Sequence, residues 1–130
     1  MRSLKALTLA ALAALVTLTT AATYPAATYT SKKFTGAKAN TGYVTATSDM
    51  GKITLKVSDD FVVPDTPAPS WQIVDSKGNT YLLNQFRIKG DKINRQIVLP
   101  AYIKDVAKVQ VWCSWAEALL GEAPFDTVVK

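Results

Sequence analysis

Lys52-Ile53-Thr54-Leu55-Lys56-Val57 alternates without a break. Successive side chains of an extended chain point to opposite faces. Ile53, Leu55 and Val57 therefore share one side, and Lys52, Thr54 and Lys56 share the other. The stretch predicts a strand with one face on a core and one in water. Tyr43 to Thr47 is a β-branched run just before it, and Asp49-Met50-Gly51 supplies a turn between them. The two segments predict a hairpin.

The same reading extends toward the C-terminus. Val63-Pro64-Asp65-Thr66-Pro67-Ala68-Pro69 carries three prolines. Proline has no N–H for a ladder, so this stretch predicts a rigid loop and not a central strand. Trp71 to Asp75 resumes extended structure, and Trp71 is read as the anchor of that loop. Ser76-Lys77-Gly78-Asn79 predicts a turn before a strand from Thr80 to Phe86. Gly90-Asp91 marks another turn, and Arg95 to Leu99 another strand, ended by Pro100. Lys108 to Cys113 predicts the last strand, with Val109, Val111 and Cys113 on one face.

After it, Ser114 and Glu117 have the spacing of a capping box. Gly121 stands where a helix end favours a left-handed residue. These signals predict one short helix from Trp115 to Leu120. The expected fold is all-β: an antiparallel β-sandwich of about seven to eight short strands, with one short helix after the Trp112-Cys113 strand.

The N-terminus has a different character. Met1-Arg2-Ser3-Leu4-Lys5 is basic, Ala6 to Val16 is apolar, and a Thr/Ala tail follows. This order predicts a secretory signal peptide over residues 1–22. The apolar run is shorter than the ~20 residues of a membrane span. Residues 23–33, rich in Thr, Ala and Ser, predict a flexible lead-in. Residues 34–128 then form a single domain. The expected location is the periplasm or the extracellular space.

Two of the 15 basic residues lie in the signal segment, leaving 13 against 10 acidic ones and a charge of +3. That is too mild to indicate nucleic acid. Arg87, Lys89, Lys92 and Arg95 form the one local basic patch, read as a solvated hairpin in preference to an anion-binding face.

The chain has one cysteine and no histidine. A blue-copper site, a Ser-His-Asp triad and covalent haem attachment through C-x-x-C-H all lack their parts. A structural zinc site lacks its several Cys and His ligands. No cofactor is evident. Asp59-Asp60 and Glu117/Glu122 could do acid–base work, but such pairs are mostly surface residues.

Cys113 has no partner within the chain. It is an inert buried thiol, a free reactive thiol, or half of an intermolecular bridge. A helix beginning at Ser114 would lower its pKa, because helix N-termini favour negative charge. Its phase with Val109 and Val111 instead points it at the core, where a thiol acts as a small hydrophobe. Trp112 and Trp115 flank it as packing residues or as an aromatic wall.

The run from Leu99 to Cys113, closing on Val109-Gln110-Val111-Trp112-Cys113, resembles the C-terminal signature of the DM-thirteen domain family. Leu120-Gly121-Glu122-Ala123-Pro124-Phe125 is similar to that family's small-residue close. Gly42-Tyr43-Val44 and Asp59-Asp60-Phe61 look like its opening, and the Pro64-to-Trp71 loop sits where the family has a "G-P-D" loop. The resemblance runs from about Phe34 to Phe125. It implies an extracytoplasmic β-sandwich, often beside DOMON-type modules, with a proposed role in electron transfer through the cysteine of the Trp-Cys pair. That role falls on Cys113, with Trp112, Ser114, Trp115, Glu117 and Trp71 as supporting residues. Many members carry a histidine near the first strand; here Lys38-Ala39-Asn40 stand in its place.

Two functions follow as expectations. One is an exported redox module that uses the Cys113 thiol with a protein partner of the cell envelope. The other is a non-catalytic binding or scaffold domain in which Cys113 fills the core. A carboxylate hydrolase is a third, weaker expectation.

Overall fold

The computed structural model describes residues 13–17 and 26–130. The expected signal peptide therefore lies outside the described residues, apart from residues 13–17. Eight strands follow: β1 (Ala27–Thr30), β2 (Val44–Asp49), β3 (Lys52–Val57), β4 (Pro69–Val74), β5 (Thr80–Gln85), β6 (Gln96–Val98), β7 (Val106–Cys113) and β8 (Ala118–Val129). They form two four-stranded sheets, ordered β1-β2-β3-β6 and β5-β4-β7-β8. Every pairing is antiparallel.

The alternation in β3 is realised as read. Ile53, Leu55 and Val57 are buried, while Lys52 and Lys56 are exposed. Val44 and Ala46 of β2 join them in one core cluster. Trp71 and Ile73 of β4 and Val109 and Val111 of β7 enter the same cluster from the second sheet. Shared burial of apolar side chains from both sheets is the main stabilising term. Across the centre, Phe34, Phe61, Phe86 and Trp71 contact one another in sequence, with ring centroids 5.1, 5.2 and 4.6 Å apart.

The turn between β2 and β3 has Met50 at φ 50° and Gly51 at φ 80°. Two central residues with positive φ are the requirement of a two-residue hairpin whose twist matches its strands. Asp75 builds the β4–β5 turn. Its carboxylate accepts the backbone N–H of Lys77 at 2.9 Å and of Asn79 at 2.8 Å. It also accepts the Asn79 amide and the Tyr81 hydroxyl, each at 3.0 Å.

Two expectations are corrected. The folded part starts earlier than Phe34: Ala27–Thr30 pairs with Thr45–Ser48 as an edge strand. Its Thr-rich sequence suits that position, since β-branched residues fit a half-exposed strand. The short helix from Trp115 to Leu120 is absent. Residues 114–117 form the turn of a β7–β8 hairpin, and β8 begins at Ala118. Ser114 caps nothing. Its N–H donates to Ala68 O at 3.0 Å and its Oγ donates to the same carbonyl at 3.3 Å. Two turns of helix have too little nucleating power to compete with a twelve-residue strand.

Gly121 ends no helix either. A bulge between Val111 and Trp112 leaves Leu120 unpaired with β7. The freed Leu120 carbonyl accepts the N–H groups of Lys38 and Ala39, at 3.0 and 2.9 Å. That bond pair draws the 36–39 segment onto β8, and a Cβ on Gly121 would collide with the carbonyl of Ala39. Gly36 faces the same contact from the other side. Here glycine serves close backbone approach. Gly121→Ala should cost at least ~1–3 kcal/mol, the usual range for overpacking. Urea unfolding checks this. An unchanged midpoint would show that the 36–39 segment is not held against β8.

Candidate functional site

Cys113 is the last residue of β7. It is a free thiol, 2% exposed, and belongs to the core cluster. Its register partners are Pro69 of β4 and Ala118 of β8. Pairing with Pro69 brings the end of the proline-rich loop beside the sulfur. The β7–β8 turn closes over the other side.

The surroundings of the sulfur are not apolar throughout. The Ala116 N–H donates to Sγ at 3.4 Å. That bond is the largest cause holding the Cys113 pKa below the ordinary thiol value. Burial opposes the shift and is outweighed, because the N–H groups of Ala68 and Trp115 and the Thr66 hydroxyl also favour the charged sulfur. Thr66 Oγ1 is itself buried without a formed hydrogen bond. It is an unused donor beside a potential anion. Donors directed at a thiolate lower its pKa just as a helix N-terminus would. The expected electrostatic effect is thus present, but a tight turn and a loop supply it in place of a helix.

The loop has its own clamp. Arg87, read from sequence as part of a solvated patch, donates from Nη1 to Thr66 O at 2.9 Å and from Nη2 to Pro64 O at 2.7 Å. Both carbonyls lie in the loop beside Cys113. Arg95 similarly reaches the Ser58 carbonyl at 3.2 Å. Two members of the basic patch therefore tie down chain segments. A planar guanidinium can hold two carbonyls at once, which an ammonium does less well.

The other expected site residues are dispersed. Trp112 pairs with Ser70 and Leu119 on the face of β7 opposite to Cys113. Trp115 is 76% exposed at the turn, where only its N–H turns toward the sulfur. Glu117 occupies the left-handed position of the turn at φ 51° and is exposed. No aromatic wall surrounds the thiol. Trp71 is fully buried, stacks on Phe86 and donates its indole N–H to Asn94 O at 3.0 Å. It anchors the core more than the loop. Ser70 Oγ and Ser114 Oγ lie 3.4 Å apart and both donate to Ala68 O.

The carboxylate pairs are not brought together as acid and base. Asp60 accepts a hydrogen bond from the Ser58 hydroxyl, while Asp59 lines a separate groove. Glu122 accepts from the Gln110 amide at 3.0 Å and pairs with Lys108 at 3.0 Å. The Gln110 bond, then Lys108, lowers its pKa against the effect of burial. Gln72 donates to Gln110 at 2.7 Å, so the three strands β4, β7 and β8 carry a continuous polar rung. Among the described residues, no group of three or more metal-ligating side chains is present.

Thr66, Ala68 and Ala116 were not legible as neighbours of Cys113, nor Arg87 as the clamp of the loop beside it. These three act through backbone groups or a loop hydroxyl; a local turn brings Ala116, and the Pro69–Cys113 pairing brings the loop. No protein-family model, curated protein or solved structure matches the chain.

The two lowered carboxylates set an acid limit. The Asp75 pKa is depressed, first by the Asn79 side chain and then by further bonds that outweigh burial. A depressed carboxylate contributes stability above its unfolded value of about 4, and that stability is lost as pH falls through the folded value. Asp75 and Glu122 shift in the same direction, so stability should decline below about pH 4. Thermal unfolding followed from pH 7 to pH 2.5 checks this. Asp75→Asn should start lower at pH 7 and lose less on acidification; an identical loss would remove Asp75 from the account.

Proposed function

We propose that this protein is an exported β-sandwich module that exchanges a thiol with a disulfide on an envelope partner through Cys113. One observation carries the reading: a buried sulfur that accepts the Ala116 N–H at 3.4 Å, the bond that does most to hold its pKa down. A purely structural thiol among aliphatic side chains would have a raised pKa. The resemblance of Val109-Gln110-Val111-Trp112-Cys113 to the DM-thirteen family supports the same residue.

The chemistry is a balanced exchange. The Cys113 thiolate attacks one sulfur of the partner's disulfide and forms a new S–S bond. The partner's S–S bond breaks, and its other sulfur leaves with the electron pair. Cys113 is oxidised and the leaving sulfur is reduced, taking up the proton that the thiol released. A low-pKa thiolate suits this role, since the thiolate is the attacking form.

Access requires the loop from Pro64 to Ala68 to lift. Arg87 sets the frequency of that event, because its two bonds must break first. Segments with few apolar contacts open locally without global unfolding. The second reading, a binding or scaffold domain with Cys113 as core filling, is favoured by the 2% exposure of the residue.

An aromatic disulfide reagent that releases a coloured thiolate separates the two. The native protein should release one equivalent slowly. Arg87→Ala should react about tenfold faster, as expected for two lost bonds of ~1 kcal/mol each partly recovered by water. Release only after denaturation, at equal rates in both proteins, would leave the scaffold reading.

A further inference from the structure

On the solvent face of the first sheet lies a groove of about 530 Å³. Its floor is set by register. Thr47 of β2 stands opposite Thr54 of β3, Thr45 stands opposite Lys56, and Lys56 in turn stands opposite Gln96 of β6. Tyr43, 40% exposed, lies at one end with Asp59. Among the described residues, no side-chain hydrogen bond or ion pair engages the three threonine hydroxyls, Lys56 or Gln96. The groove thus offers a row of free hydroxyls, an amide and one charge of each sign.

We propose that this groove binds a neutral carbohydrate chain. Its volume falls in the ~300–1,000 Å³ range of small-ligand sites, but its lining is more polar than the apolar cavities that enclose most such ligands. Mixed donors and acceptors match a ligand that is itself covered in hydroxyls. The threonine methyls and the Tyr43 ring offer apolar area to the C–H faces of sugar rings; tyrosine combines an apolar body with a polar tip. An anion finds poor support, because the Lys56 charge is opposed by Asp59. A peptide added as an extra strand would need a sheet edge, whereas these residues project from the face of β2 and β3. The groove lies on the sheet that does not hold Cys113, so the inference is independent of the thiol.

Amide NMR of the folded protein tests it, with soluble cello-, chito- and manno-oligosaccharides as probes. At least one series should produce saturable shifts at Tyr43–Thr47 and Thr54–Lys56. Tyr43→Ala and Thr47→Val should each weaken that binding about tenfold, or ~1.4 kcal/mol, with the unfolding midpoint unchanged. Leu82→Ala on the second sheet should bind as the parent does. No saturable shift with any series, or binding that survives both groove substitutions, would overturn the proposal.

Discussion

The antiparallel pairing of β4 with β7 is the constraint on which the site rests. It sets Pro69 opposite Cys113, Trp71 opposite Val111 and Ile73 opposite Val109. The last two pairs are core packing. The first sets the end of a proline loop beside the thiol. A slip of one residue would exchange the faces of β7, carrying Cys113 to the outer side and Trp112 toward the core. Burial of Val109 and Val111 fixes the register, so the apolar core and the chemistry of the sulfur have one cause.

The second sheet shows how polar groups are accommodated around that core. Its face away from the shared core carries the Gln72–Gln110–Glu122 rung, and its end carries Ser70 and Ser114 on the Ala68 carbonyl. A buried polar group without a partner is costly, and nearly all of them here are satisfied. Thr66 Oγ1 is the exception among the described residues. Its position beside Cys113 gives the exception a chemical meaning: the hydroxyl gains an acceptor when the sulfur loses its proton.

Much of the sheet structure could be read from the chain. Alternation in Lys52–Val57, the Met50-Gly51 turn and the proline interruption after Val63 each depend on local stereochemistry, which sequence spacing records directly. The end of β7 was harder. Ser114, Glu117 and Gly121 carry real helix signals, but each answers a different demand: a bond to Ala68, a left-handed turn residue, and backbone contact with Ala39. The first and last demands come from loops distant in sequence and the second from a tight hairpin turn, and periodicity within one segment does not encode them. The edge strand Ala27–Thr30 was missed for a similar reason, since its pairing with β2 is what makes it a strand. The burial of Cys113 followed from its phase with Val109 and Val111. The donors around it did not, because backbone N–H groups have no residue-type signature.

The account stands or falls on the charge state of one sulfur. Absorbance of the thiolate in the ultraviolet, followed against pH in the folded protein and in the same protein unfolded in urea, measures it directly. The folded thiol should titrate below the unfolded one, whose value is expected near the free value of ~8.5. A folded thiol titrating at or above the unfolded one would show that burial outweighs the donors, and that Cys113 only fills space.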